Sequence, residues 1–382
     1  MAEFEFHVPA CLVFGADSIN TVGARAGEFG SRALLITESV LYDGGHVEKV
    51  RDILRRKSID CIVYDELSPG STSSGIDEIV QLARASQSQV IIGMGGMRVL
   101  SAARCTASAA ATRTGLTDLL SGQLPNRAPV PYIEIPSSYR NHFMLKHECV
   151  ITDDVTRHAR VLPLPVGVVK YELIDPNLTL SLSPKYAAAV MLDSLLAAIE
   201  GYLSTKSTFL SDTLFLRAID MLKESIEGIG KSPNDMRHRL RAAEGGLMSA
   251  IGLGVSSQGA GGALSYAINA RYNVPKSWIA TALLPHILDQ TATVRPVKTG
   301  KVARALGEDI IGINNAGEAG QASVAARRLL GLLGLPGRLR EFDLSMDEMY
   351  EVCETAASFE MITSSPMPLG AQDLFEIVKQ AF

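Results

Sequence analysis

Cysteine is scarce in this chain and badly placed for cross-linking. Its five copies (Cys11, Cys61, Cys105, Cys149 and Cys353) are odd in number and far apart, with no C-x-x-C pair. That excludes a disulfide framework or a zinc knuckle and suits reduced intracellular thiols. Basic residues are not concentrated either. The 36 lysines and arginines are scattered among 41 acids, for a net charge of −5, with no basic stripe to favour nucleic acid or anionic lipid. The amino terminus, MAEFEFHVPA, is acidic and has no apolar core of the signal-peptide kind. No apolar run reads as long enough to span a bilayer. What these shortages leave is a cytoplasmic protein whose partner is a small molecule, with no nucleic-acid or membrane partner expected.

What is present is a two-domain pattern. At 382 residues the chain has room for two domains, taking about 150 residues for each. Hydrophobic residues make up 47% and charged residues 20%, an ordinary globular composition. Up to residue 175, short β-branched runs alternate with helical patterns. Candidate strands are CLVFG (11–15), ALLIT (33–37), CIVYD (61–65), QVIIGM (89–94) and YIEIP (132–136). Between them VEKVRDILRRKS and IDEIVQLARAS carry apolar residues at helical spacing. This alternation predicts a Rossmann-like α/β domain over 1–175, with a mostly parallel sheet covered on both faces. From 176 to 382 the texture is helical throughout. It opens with SPKYAAAVMLDSLLAAIEGYLS, which has a Ser183 cap and a proline at the first helical position. An all-α domain is expected there, with a ligand cleft between the two.

Three collinear segments carry a resemblance. IDPNLTLSLSPKYAAAVMLDSLLAAIEGY (174–202) is similar to a DP-x-L-T … D-A-L-x-H-A-I-E-A-Y helix. ALSYAINARYNVPKSWIATALLPHIL (263–288) is similar to an A-M-A-H-x-L-G … Y-x-I-P-H-G … L-L-P-H pair of elements. VIIGMGGMRVLSAAR (90–104) is similar to I-I-A-x-G-G-G-S-x-x-D-x-A-K. These patterns are those of the iron-dependent alcohol dehydrogenase superfamily, which includes the maleylacetate reductases and has a dehydroquinate synthase-like fold. The resemblance covers nearly the whole chain and implies a homodimer.

It also implies a metal held by one aspartate and three histidines. Asp193 matches the aspartate, but Ala197, Tyr266 and Lys276 stand where the histidines belong. A divalent ion needs three or four N, O or S ligands, so no iron or zinc is expected. An ion pair of Asp193 with Lys276, with Tyr266 hydrogen-bonded nearby, is expected in its place.

The cofactor elements depart from the family as well. The phosphate turn reads Gly95-Gly96-Met97-Arg98, and Ser101 and Arg104 replace the family's Asp and Lys. Met97 is expected to crowd a phosphate, and Arg98 and Arg104 to offer it cations; a tight strand–helix turn at Gly95-Gly96 is the equal alternative. PSSYRNHFM (136–144) aligns with the element P-T-T-A-G-T-G-S-E, and its Tyr139 resembles the maleylacetate reductase form. Ser137 and Ser138 keep the hydroxyls, while Arg140, Asn141, His142 and Phe143 place bulk beside the nicotinamide. Glu38, after the second strand, suits an adenosine ribose hydroxyl.

The first expectation is therefore a repurposed, metal-free enzyme that needs no cofactor. It would cyclise, isomerise or eliminate a small carbonyl-bearing metabolite. Tyr266, Lys276 or His142 would serve as acid or base beside Asp193 and Tyr139, with Arg140 or Arg98 as anion anchor. The alternative is a metal-independent NAD(H)-linked reductase using Gly95, Gly96, Arg98, Ser137, Ser138 and Glu38 for the dinucleotide. A catalytically dead binding subunit comes third. His286 reads as structural, and the single tryptophan, Trp278, as either a wall of the site or a core residue.

Overall fold

A computed structural model describes residues 4–67, 71–112, 116–125, 127–233, 235–309 and 314–382. The chain falls into two units. One holds His7–Ser138 and Leu145–Leu182; the other holds Ser183–Phe382, the amino-terminal residues up to Phe6 and the short segment Tyr139–Met144. A single boundary at 175/176 has no place for that six-residue segment.

The first unit contains β1 (Cys11–Phe14), α1 (Val22–Gly27), β2 (Arg32–Ile36), α2 (Val40–Asp43), α3 (His46–Arg56), β3 (Asp60–Tyr64), α4 (Ser73–Ala85), β4 (Val90–Gly95), α5 (Met97–Ala109), α6 (Leu116–Leu120), β5 (Tyr132–Pro136), β6 (Glu148–Thr152), β7 (Ala159–Pro163) and β8 (Val169–Ile174). Six strands form one parallel sheet in the order β1-β8-β5-β4-β2-β3, and β6 and β7 pair antiparallel. Alternation explains the β-branched runs. Leu34 and Ile36 face one apolar layer while Ala33 and Leu35 face the other, so both sheet faces are covered. All of β4 is buried. At Gly93 a Cβ would lie 2.5 Å from the Tyr132 hydroxyl and 2.7 Å from the Ala103 Cβ, so glycine there lets α5 lie close on the sheet.

Three strands, β6, β7 and β8, are absent from the sequence expectation. In β8, VKYELI, a glutamate interrupts the apolar run, yet Glu172 is wholly buried. Arg104 on α5 is the reason. Its guanidinium bonds Glu134 of β5 at 2.7 Å and 2.9 Å and Glu172 at 3.3 Å. Burial, and then the Glu134 charge, push the Glu172 carboxyl well above the usual range. Arg104 is thus consumed inside the sheet unit and is no anchor for an outside phosphate.

The second unit is helical: α7 (Pro184–Leu203), α8 (Phe209–Lys231), α9 (Met236–Leu253), α10 (Ala260–Tyr272), α11 (Lys276–Val294), α12 (Pro296–Ala305), α13 (Asn315–Leu333), α14 (Met349–Ala357) and α15 (Ala371–Ala381). Ser183 caps α7 by accepting from the Tyr186 N–H, with Pro184 at the first position. Contrary to the reading of the apolar runs, α7 is long and apolar enough to cross a membrane by length and composition. Its residues from Ala187 to Leu203 are instead buried within the protein, and it serves as the axis of the bundle.

Two glycine substitutions should separate close packing from helix propensity. Gly93→Ala should cost about 1–3 kcal/mol through overpacking. Gly331→Ala, exposed on α13 with nothing within 4 Å of its Cβ position, should gain about 0.5–1 kcal/mol. Urea unfolding of both variants checks the two opposite signs.

Candidate active site

Asp193 sits in the middle of α7 with its carboxylate wholly buried. One helical turn later the same face carries Ala197, so the helix itself offers the acid nothing. Two cations meet it from other elements. Lys276, the first residue of α11, bonds one carboxylate oxygen, and Arg140, from the 139–144 segment, bonds the other. Both cations are buried as well. Burial alone would push the Asp193 carboxyl up; Lys276 and Arg140 outweigh it and hold the acid well below the usual carboxylate range. Burial pulls the Lys276 ammonium down, Asp193 opposes this, and Arg140 adds to the fall. Two cations bonded to one carboxylate keep the acid ionised, and burial, with Arg140 adding to it, makes the ammonium readier to give up a proton.

Tyr266 and His142 complete the cluster. Lys276 Nζ lies 4.6 Å from the Tyr266 ring centroid, and the tyrosine hydroxyl is 3.3 Å from His142 Nδ1. The tyrosine therefore pairs with the histidine rather than with the Asp193–Lys276 pair. Burial, with the Asp193 charge behind it, pushes the Tyr266 hydroxyl up, so it keeps its proton. Burial, and then the Lys276 charge, push His142 well below its ordinary value, leaving a neutral imidazole. His142 Nε2 and the Oε1 of neighbouring Gln258 are buried with no hydrogen-bond partner among the described residues.

The 139–144 segment is held by α9 and α7. Gly246 of α9 has its Cβ position 2.1 Å from the Tyr139 carbonyl oxygen, so only glycine admits that approach. Ser194 donates to the same carbonyl at 3.0 Å, and Arg239 donates to the Tyr139 hydroxyl at 3.0 Å. Tyr139, expected among the acting groups, thus has its hydroxyl committed to Arg239. Arg140, expected to anchor a substrate anion, is engaged with Asp193. Trp278 is half-buried and packs on Tyr186, ring centroids 6.3 Å apart.

The other candidate residues gather in the sheet unit. Gly95 and Gly96 make the turn from β4 into α5. The Gly96 N–H donates to Glu38 Oε1 at 2.9 Å, the Ser137 hydroxyl lies 3.4 Å from the same oxygen, and Arg98 lies 3.7 Å from the other. Ser138 follows, half-buried. Met97, expected to crowd a phosphate, is buried.

Two residues escaped the sequence reading. Gln258 stands just before α10, within hydrogen-bonding reach of both His142 and Tyr266. Glu200 accepts from the Gly259, Gly261 and Gly262 N–H groups at 3.0, 2.6 and 3.0 Å, capping α10 from α7. The signal for Glu200 was available, as an acid inside an otherwise apolar helix. Gln258 gave none.

Comparison with known proteins covers both units. The family model described as iron-containing alcohol dehydrogenase matches residues 9–176, and that described as Fe-containing alcohol dehydrogenase family, C-terminal, matches residues 187–382. The 1,3-propanediol dehydrogenase of Citrobacter freundii is 24% identical over 386 aligned residues, covering 99% of each chain. The NAD-dependent methanol dehydrogenase of Bacillus methanolicus is 22% identical, covering 98% of this chain and 99% of that one. A crystal structure of 1,3-propanediol oxidoreductase superposes with a TM-score of 0.93 at 23% identity, over 100% of both chains, and shares the fold.

These findings correct the expectation of a non-redox cyclase, isomerase or lyase, since the relatives are dehydrogenases and reductases. The expectation of no cofactor and no iron or zinc falls with it. The family is named for its iron, one relative is named NAD-dependent, and the match gives no sign that the metal group is lost. The side chains around Asp193 nonetheless do not fit a divalent ion. An ammonium and a guanidinium cover the one carboxylate, and among the described residues no three His, Cys, Asp or Glu gather where they could hold a metal.

Removing the shared anion tests the electrostatics. Asp193→Asn should cost about 3–5 kcal/mol, because it strands buried charge. The folded-state carboxyl lies below its unfolded value of about 3.9, so its contribution is present above that pH and is lost as pH falls through the folded value. Urea unfolding between pH 7 and pH 3, compared with the wild type, should show the penalty shrinking toward the acid end.

Proposed function

Because the chain belongs to the iron-containing alcohol dehydrogenase family, we propose that it is an NAD(H)-linked oxidoreductase interconverting a small alcohol and its aldehyde or ketone. The observation that carries this reading is the turn at the carboxyl end of β4. There Gly95 and Gly96 open α5 and Glu38 stands 2.9 Å from the Gly96 N–H. In parallel sheets this is the place for a dinucleotide, with an acid after the second strand meeting the ribose hydroxyls. Glu38 and Ser137 would meet the adenosine end, and Ser138 the pyrophosphate side. Arg98, 3.7 Å from Glu38, is near enough to turn toward a phosphate. A 2′-phosphate would meet the Glu38 carboxylate, so NAD(H) is favoured over NADP(H).

Bound NADH would supply the hydride. The chain's own residues would serve the carbonyl oxygen, where negative charge develops. The Lys276 ammonium faces that charge and, its proton affinity lowered by burial, is the group to release a proton to the nascent alkoxide. Tyr266, kept protonated, would donate a hydrogen bond, with His142 and Gln258 beside it fixing the direction of its hydroxyl. Asp193 and Arg140 would hold Lys276 in place. In the reverse direction the neutral lysine would take the alcohol proton.

NADH titration followed by cofactor fluorescence is the test. NADH should bind about tenfold tighter than NADPH, and Glu38→Gln should narrow that ratio to about threefold, the worth of one ordinary net hydrogen bond. Absence of NADH binding at millimolar cofactor would sink the proposal. Lys276→Met, if folded, should lower kcat by about 10²–10⁴-fold, the range for a general acid, with NADH affinity unchanged.

A further inference from the structure

Helix α7 carries two acids, Asp193 and Glu200, spaced so that they share one face. Glu200 is buried, and both of its oxygens are taken. Oε1 accepts from the Gly261 N–H at 2.6 Å, and Oε2 accepts from those of Gly259 and Gly262 at 3.0 Å each. These donors belong to the start of α10, whose own N-cap, Gly259, has no side chain to meet them. The cap therefore comes from another helix, through charge-assisted bonds placed at the positive pole of α10.

What this cap holds is the frame of the Tyr266 hydroxyl. Gln258 directly precedes Gly259, and its side chain is within hydrogen-bonding reach of both His142 and Tyr266. Tyr266 lies on α10 itself, with its hydroxyl 3.3 Å from His142 Nδ1. Glycines let the two side chains lie close on the backbone. A Cβ at Gly259 or Gly261 would stand 3.1 Å from Glu200 Oε1, and one at Gly262 would stand 2.7 Å from Gln258 Oε1. The carboxylate also acts on Lys276 through its charge. Burial pulls that ammonium down, Asp193 opposes the fall most strongly, and Glu200 opposes it too. The charged and titratable groups facing Lys276 are thus Asp193 and Glu200 from α7, Arg140 and His142 from the 139–144 segment, and Tyr266 from α10.

We infer that Glu200 is a positioning residue: by capping α10 from α7 it sets the direction of the Gln258 side chain and, with it, of the Tyr266 hydroxyl beside His142. This role rests on the oxidoreductase reading, which gives Tyr266 and Lys276 their work. The placement of imidazole and phenol, however, is readable without turnover.

The purified full-length protein, labelled with nitrogen-15 at histidine, is the sample for NMR, and the His142 ring signals are assigned by their loss in His142→Ala. Glu200→Gln keeps the size of the side chain and removes its charge. It should shift the His142 signals, leave NADH affinity unchanged and lower kcat for carbonyl reduction by about 10–10²-fold, the cost of a group held out of place. Its pH profile should move as well. Reduction needs the Lys276 proton and so fails as pH rises and the ammonium gives that proton up. The Glu200 charge favours the ammonium, so without it the fall should come at lower pH. Glu200→Asp keeps the charge but is too short to serve all three N–H groups. It should shift the His142 signals and lower kcat while the fall stays at the wild-type pH. A cap that serves stability alone would lower the unfolding midpoint and move none of these. Should Glu200→Gln fail to fold, the His142 signals of Glu200→Asp decide. A wild type that binds no NADH sinks the oxidoreductase reading by itself, and the His142 signals then decide the placement. The positioning role is overturned by a folded Glu200→Gln with wild-type His142 signals, or by one with wild-type kcat and pH profile.

Discussion

A carboxylate sealed inside a helical bundle has no water to solvate it, so Asp193 dictates what must stand around it. Its own helix supplies only apolar neighbours, and the charge is met by Lys276 at the first turn of α11 and Arg140 from the 139–144 segment. Each cation is itself buried and each depends on the one acid. Removing the acid strands both cations in a medium of low polarity, where an unpaired charge is far more costly than a lost surface pair. The position of α11, the path of 139–144 and the orientation of α7 are therefore mutually conditional. Tyr266 and His142 inherit their protonation states from the same arrangement: the fields of Asp193 and Lys276 act together with burial to keep the phenol protonated and the imidazole neutral.

The sheet unit shows the same physics with the signs exchanged. There one cation, Arg104, serves two glutamates on neighbouring strands, and the surplus is of acid. Burial, and then the Glu134 charge, raise one of those carboxyls, Glu172, well above the usual range. One buried cluster settles by making a lysine more acidic, the other by making a glutamate less so. The first arrangement suits proton release toward a developing oxyanion; the second fixes α5 to β5 and β8 and so fixes the Gly95-Gly96 turn at the head of that helix.

Much of the fold was legible because local pattern and burial agree. Strands β2 and β4 alternate or run apolar as buried parallel strands do, and Ser183-Pro184 announces α7. β8 was not legible, since Glu172 looks like a surface residue until Arg104, 68 residues away, is placed against it. For the site, resemblance located Asp193, Tyr266 and Lys276 and the exchange of three histidines. It misjudged what those exchanges meant for the reaction, because loss of a ligand pattern says nothing of hydride transfer, which the rest of the family match carries. The sequence points Arg140 at an outside anion. Its true partner is 53 residues along the chain, and no periodicity links the two.

That segment has a consequence for how the chain acquires its structure. Arg140 and His142 are made before any of the helices they serve, and their contacts close loops of 53 and 124 residues. Closing a longer loop adds only about 0.6 kcal/mol per doubling of length, so the delay falls on order of events more than on final stability. Until α7, α10 and α11 exist, two polar side chains wait without partners; once these helices form, a ready charge and imidazole complete them. A chain cut at 175/176 would leave Asp193 in one fragment and half of its compensating charge in the other. The halves marked by the sequence motifs are not halves that can mature separately.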